Sequence, residues 1–476
     1  MPLPFIASLF LDGLPPWMPN PWVMAKVGGS LSAVALTKWY ASGAVCTADR
    51  KMHGRVVIMT GGTSGIGAET AFELARRGAQ IVLLTRQPPS DPFLVDYIDD
   101  LRERTNNQLI YAEQVDLSSL HSIRQFATRW VDNVPPRRLD MIILCAANMT
   151  PPGSARTETA EGIEATWMVN FLANFHLLSI LSPAIRAQPF DRDVRIIVPT
   201  CSTYISAPPL DSALDKKRWT PRTAYAQSKL ALMVFCQAYQ KHLDAYKRPD
   251  SLPMTARTLM VDPGFARTPG TRRWLTRGSL FGLLIYMVTY AFWWLFLKSP
   301  SKGAQSILYA ALESSLVRGE GGKFIKECME VDCARKDVKD EEVAKKLWES
   351  SDKLIERTEK EAAIRRANEK KKQKEREEEE EKAKQTEEIE ALVDAISKGK
   401  RKNAKKAKNA QKAAPAATPA SATWSASHCH PVFFTEKLRK QPASLTSASA
   451  AHGSPVAHGY AYQDAKRSKG VTGSRL

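Results

Sequence analysis

The sequence predicts a doubly wound α/β domain, with a parallel sheet covered by helices on both faces, then a charged helix and a disordered tail. Two observations predict the domain. Short continuous apolar runs recur between helix-forming stretches: Val56-Val57-Ile58-Met59, Ile81-Val82-Leu83-Leu84, Leu109-Ile110-Tyr111, Met141-Ile142-Ile143-Leu144, Arg195-Ile196-Ile197-Val198 and Thr258-Leu259-Met260-Val261. Runs that do not alternate belong to strands buried on both faces, as in a parallel sheet. A glycine-rich turn also follows the first run directly and opens a helix. The third observation concerns the C-terminal region. Beyond about residue 340 the composition shifts to Glu, Lys, Arg and Ala, then to Ala, Ser, Pro and Thr.

Residues 1–50 form an N-terminal apolar segment: Phe5–Leu11, then Pro15, Pro16, Pro19 and Pro21, then Trp22–Leu36 interrupted by Lys26 and Gly28-Gly29. Neither stretch reaches the roughly 18–20 clean apolar residues of a membrane span. No basic region precedes them as in a signal peptide, so packing on the body is expected. The α/β domain occupies 51–357. Its first helix runs from Ala68 to Arg77 and stops at Gly78. A charged helix is expected over 358–410, supported by Glu–Lys pairs at i,i+4. Its apolar positions, Ile389, Leu392, Val393 and Ile396, are too few for a long coiled-coil seam. Residues 411–476 form a basic tail whose composition predicts disorder.

The chain carries a formal charge of +18, unevenly distributed: from Lys398 to the end there are 15 basic residues against two acids. The body is therefore close to neutral, and a nucleic-acid role would rest on the tail, which lacks interleaved aromatics. Seven scattered cysteines do not form a disulfide framework and indicate a reducing compartment. His428-Cys429-His430 lacks metal-ligand spacing, so no metal site is expected.

Two motifs carry chemistry. In Thr60-Gly61-Gly62-Thr63-Ser64-Gly65-Ile66-Gly67, Gly61 permits the tight turn. Gly65 lets the backbone approach a pyrophosphate, and Gly67 lets helix and strand pack closely. The helix N-terminus offers unpaired N–H donors to phosphates. The second strand ends in Thr85-Arg86 with no acid, and an arginine there suits the 2′-phosphate of NADP. In Tyr225-Ala226-Gln227-Ser228-Lys229 the phenol and the ammonium share one helix face. A phenol with a pKa near 10 needs such a cation for acid–base work at neutral pH.

These residues resemble the short-chain dehydrogenase/reductase family and its retinol-dehydrogenase-like branch, over about Met52 to Arg357. The resemblance implies a Rossmann fold, a nicotinamide cofactor and alcohol/carbonyl chemistry. Thr60 to Gly67 match the family's cofactor loop: Thr60, Gly61, Thr63, Ser64, Gly65, Ile66 and Gly67. Asp116-Leu117 matches its adenine contact, and Asn170 the helix asparagine that holds a proton-relay water. Tyr225 and Lys229 match the catalytic pair, which also touches the cofactor. Pro263, Gly264 and Thr268, after Asp262, match the loop over the nicotinamide. Ser299–Gln305, Gly321–Phe324 and Leu347–Ser351 resemble the branch's C-terminal end. The chain departs from the family at two places. The usual Asn-Ala-Gly reads Cys145-Ala146-Ala147, so Ala146 keeps its cofactor contact while a methyl at Ala147 crowds it. The catalytic serine falls on Cys201 when counted from the strand, and on Ser202 after a one-residue shift. A thiol is a poor donor, so Ser202 is the expected polarising group.

Gly278 to Leu297 is almost wholly apolar, with Arg272, Arg273, Arg277 and Lys298 flanking it. Strands of one sheet on either side argue against a full crossing, so a membrane-contacting flap is expected over 278–297. The resulting expectation is an NADP(H)-dependent oxidoreductase that interconverts an apolar alcohol with its aldehyde or ketone. The substrate would be a retinoid, steroid or fatty aldehyde, met at a lipid droplet or the cytosolic face of the endoplasmic reticulum. A cofactor-binding scaffold with little turnover is the alternative. Ser474-Arg475-Leu476 resembles a peroxisomal address and gives an alternative location.

Overall fold

The computed structural model describes residues 20–210, 219–317 and 319–411. The chain separates into two units, Met1–Lys384 and Gln385–Leu476. The expected tail, the terminal tripeptide, His428–His430 and the first apolar run lie outside the described residues.

The first unit is built on an eight-stranded sheet in the order β3-β2-β1-β4-β5-β6-β7-β8. Its strands are β1 (Val56–Thr60), β2 (Gln80–Thr85), β3 (Ile110–Gln114), β4 (Met141–Leu144), β5 (Val194–Pro199), β6 (Ala256–Asp262), β7 (Lys323–Lys326) and β8 (Met329–Val331). Seven are parallel, and β8 returns antiparallel on β7. β1, β4 and β5 are buried at every position, which explains their unbroken apolar runs. The strand order reverses beside β1, opening a crevice at the C-terminal strand ends between β1 and β4.

Two apolar clusters cover the faces. One includes Leu177, Leu230, Phe235 and Phe175, the other Leu74, Ile98, Ile307 and Ala311. Among the described residues one helix, Ala165–Arg186, is long and apolar enough to cross a membrane, and most of it is buried in the first cluster. Its second turn is π-helical over Met168–Leu172.

The charged helix begins at Glu341 rather than at residue 358 and runs to Gln411. Its first turns belong to the core: Leu347, Ile355 and Ala362 are buried, and Trp348 packs on Phe175 and Phe235. Glu359 accepts from Arg124 and faces His176, and against its burial these partners hold its carboxyl down to about 2. The change in composition therefore falls inside one helix. In the second unit the described helical side chains are exposed.

The N-terminal segment contains a 22-residue helix, α1 (Pro21–Ser42), that exposes Trp22, Leu31, Leu36, Trp39 and Tyr40. Only its C-terminal end is tied to the body, where Lys38 Nζ donates to Trp294 O at 2.6 Å and to Leu297 O at 3.2 Å. The flap is two short helices, Leu280–Val288 and Tyr290–Phe296, of nine and seven residues. At 1.5 Å per residue they reach about 14 and 10 Å, so neither crosses a ~30 Å hydrocarbon layer. Lys298, expected as a flanking surface cation, is instead buried against Glu327.

Candidate active site

The glycine loop joins β1 to a helix as the sequence predicts, but the helix runs from Gly65 to Arg76 rather than from Ala68 to Arg77, with Gly78 in the left-handed region just past its end. Gly61 has φ +66°, and a Cβ there would lie 2.7 Å from the Ala146 nitrogen. A Cβ on Gly67 would lie 2.1 Å from the Gly61 carbonyl. Glycine is thus required at both positions. Ser64 caps the helix without a side-chain hydrogen bond, which leaves the first-turn N–H groups open to an anion. Thr60 Oγ1 accepts from Ala146 N at 3.2 Å and pins the neighbouring strand end in place of the missing asparagine. These residues fit a dinucleotide.

In front of this loop is a cavity of about 890 Å³. Gly61, Ser64, Gly65, Ile66, Gly67 and Ala146 line one side; Pro263, Gly264 and Thr268 close over it; Ser202, Tyr225 and Lys229 form its chemical wall. Met149, Val169, Phe265, Trp274 and Ile307 make it apolar, and no periodicity in the sequence marks them as a group. Thr63, Arg86, Asp116 and Leu117 lie outside this lining, near the ends of the first three strands. Arg86 is exposed at the end of β2. Asp116 Oδ1 accepts from the Ser118 amide and hydroxyl.

Tyr225 and Lys229 stand on the helix Pro221–Ala245, which a Thr220–Thr223 capping box starts. Lys229 Nζ lies 5.8 Å from the Tyr225 ring centre and donates to Pro199 O at 3.0 Å. Burial lowers the Lys229 pKa below the usual lysine value. Burial also pushes the Tyr225 phenol well above its ordinary value, and Cys201 and Asp262 push it the same way. The Cys145 thiol, partly buried beside the loop, is pushed up by desolvation to about 12.

At two positions the geometry differs from the sequence expectation. Cys201 is the neighbour that raises the pKa of the Tyr225 phenol, whereas Ser202 turns to Asp262. Cys201 keeps the extended backbone of β5, with φ −161° and ψ 158°, whereas Ser202 begins a 3-10 turn that carries it out of register. Ser202 donates to Asp262 Oδ2 instead. Asn170 is completely buried behind the cavity wall. Its amide accepts from Asn148 N at 2.6 Å and donates to Asn148 O and Ser228 Oγ at 3.0 and 3.1 Å. Both amide hydrogens are used and Oδ1 accepts one bond, so the side chain braces the wall while Oδ1 keeps one free lone pair.

Residues 55–276 match the short chain dehydrogenase family. The uncharacterized oxidoreductase pbr1 of Schizosaccharomyces pombe is 41% identical over 377 residues, covering 78% of this chain and 100% of that one. Retinol dehydrogenase 13 of Mus musculus is 30% identical over 334 residues, covering 70% and 93%. Polyprenol dehydrogenase of the same organism is 33% identical over 299 residues, covering 62% and 82%. With the glycine loop and the Tyr225–Lys229 pair set around one cavity, these matches place the chain in the short-chain dehydrogenase/reductase family, in its retinol-dehydrogenase-like branch, as an oxidoreductase that uses a nicotinamide dinucleotide.

Proposed function

We propose that this protein interconverts a long apolar alcohol and its aldehyde or ketone, uses NADP(H), and works at a lipid surface. The observation that carries this reading is the placement of Tyr225, Lys229 and Cys201 on the wall of a largely apolar cavity beside the glycine loop. Two similar proteins are named for retinol and polyprenol, both long apolar alcohols.

The first turn of the helix Gly65–Arg76 would hold the pyrophosphate, Asp116 and Leu117 the adenine, Lys229 the ribose, and Pro263, Gly264 and Thr268 the nicotinamide side. The bound dinucleotide supplies or accepts the hydride. Tyr225 exchanges the proton at its phenolic oxygen with the substrate oxygen. The Lys229 ammonium favours the phenolate, opposing the burial that disfavours it. Cys201 orients the phenol, and the apolar walls exclude water.

Arg86 supports NADP(H), because it stands where NAD enzymes of this fold place an acid. NADPH is expected to bind at least tenfold more tightly than NADH, and Arg86→Asp to reverse or flatten that preference, about 1.4 kcal/mol per factor of ten. Fluorescence titration with both nucleotides measures this; equal or tighter NADH binding by the wild type overturns it.

The scaffold reading draws on the thiol at position 201, a weaker donor than a hydroxyl. If the protein turns over, Cys201→Ser should raise kcat severalfold by placing a stronger hydrogen-bonding group beside Tyr225, and Ser202→Ala should change it less than Cys201→Ala does. Steady-state rates with retinol and NADP⁺ decide. Tight NADPH binding without turnover of any long-chain alcohol or aldehyde would favour the scaffold.

A further inference from the structure

β6 and β7 end side by side, with Asp262 paired in register to Lys326. Both side chains reach the catalytic cavity. The Asp262 side chain is 2% exposed. Its Oδ1 accepts from Gly264 N at 3.0 Å and its Oδ2 from Ser202. Lys326 Nζ lies 3.6 Å from Asp262 Oδ2 and donates to Ser202 Oγ at 3.2 Å. A carboxylate removed from water in the cavity wall it shares with the reacting phenol is unfavourable for catalysis, because an acid that must become a phenolate is opposed by nearby negative charge.

We infer that Lys326 is a positioning residue for Tyr225: its ammonium offsets the buried Asp262 carboxylate and holds Ser202 out of the reaction, so that the phenolate forms next to a locally neutral wall. This rests on the reading of Tyr225 as the acid–base group. The Asp262 carboxylate is anchored to the loop over the nicotinamide through Gly264, so it cannot swing away when the charge on Tyr225 changes. The other ionisable groups around the cavity are Lys229 and Arg222 on the helix of Tyr225, and Cys145 and Cys201 at the ends of β4 and β5. Lys229 supplies positive charge from the phenol's own helix, and Lys326 supplies it from the sheet. No sequence motif marks Lys326; it becomes part of the site only because β7 lies next to β6.

The test uses the full chain saturated with NADP⁺. Tyrosinate absorbance is titrated with pH, each protein being compared with its own Tyr225→Phe counterpart so that only the Tyr225 step remains. The pH dependence of kcat/KM for retinol oxidation is a second readout. Lys326→Gln should move both midpoints upward by about one pH unit. Lys326→Arg should leave them in place, and Lys326→Gln with Asp262→Asn should return them to the wild-type position. The Lys326 side chain is 42% exposed, so its replacement does not empty the core. An unmoved midpoint in Lys326→Gln, or a shift that survives Asp262→Asn, overturns the inference. The acid–base role itself is judged separately, by whether Tyr225→Phe still turns over. A purely structural role for Lys326 would lower the rate at every pH without moving the midpoint.

Discussion

Tyr225→Phe is expected to lower turnover by about 10³-fold, the middle of the range for a positioned acid–base group, while cofactor affinity stays close to that of the wild type. The substitution removes one oxygen and keeps the ring that packs in the cavity wall. The neighbouring thiol is not orphaned, because Cys201 Sγ lies 2.7 Å from Thr203 Oγ1. Nor does the change touch the glycine loop or the first turn of the helix Gly65–Arg76, where the pyrophosphate would bind. The loss should therefore appear in kcat and not in the NADPH titration, and a parallel loss of both would mean that Tyr225 holds the cofactor more than it moves a proton. The pH dependence has a definite sign. Burial, Cys201 and Asp262 all raise the phenol's pKa, so alcohol oxidation, which needs the phenolate, should gain rate as pH rises. Carbonyl reduction, which needs the phenol, should be lost as pH rises through the same midpoint. Rate profiles in both directions check this; a pH-independent oxidation rate contradicts it.

The fold was legible where local sequence and tertiary structure agree. Buried parallel strands read as unbroken apolar runs, and a glycine turn between strand and helix admits few other readings. The pair Tyr225 and Lys229 was visible because helix spacing alone puts both on one face. Legibility stopped where a side chain's direction depends on the phase of a strand. Cys201 and Ser202 are adjacent, and donor chemistry alone favours the hydroxyl. The extended backbone at Cys201 and the 3-10 turn beginning at Ser202 decide otherwise. The start of the charged helix was misplaced for a related reason: Leu347, Ile355 and Ala362 are apolar positions spread thinly among charges, and only their docking on the core shows that they belong to it. Lys326 had no local signal at all, since its relation to Asp262 is a strand pairing between residues far apart in the chain.

Changing Phe281, Leu284 and Phe292 to Ser is expected to release the protein from lipid while preserving activity on a detergent-dispersed substrate. The flap's Leu280, Phe281, Leu284, Met287 and Val288 are each at least 60% exposed, and Phe292, Trp294 and Phe296 are about half exposed. Burying such side chains in lipid contributes roughly 1–2 kcal/mol each, so eight of them exceed the ~5.5 kcal/mol that corresponds to a myristoyl chain's binding constant of about 10⁴ M⁻¹. Arg272 and Arg273 on the preceding helix add attraction to an anionic surface, on the order of 1 kcal/mol apiece. Trp293 is left intact because its indole stacks on Tyr286 and donates to Thr289, which makes it part of the flap's own structure. Trp294 is left because Lys38 sits 5.0 Å over its ring and ties α1 to the flap. The Phe281 and Leu284 changes therefore remove lipid contact and little internal packing, while Phe292 also gives up its ring contacts with Trp293 and Phe296. The competing address is Ser474-Arg475-Leu476, which a receptor would read independently of the flap. The assay is imaging of an N-terminally tagged chain together with vesicle flotation. Loss of lipid-droplet or endoplasmic-reticulum signal in the triple variant, with the Leu476 deletion unaffected, is the expected result. Loss of localisation on deleting Leu476 alone, with the flap intact, would move the protein to the peroxisome and leave the exposed flap as a lid over an apolar substrate.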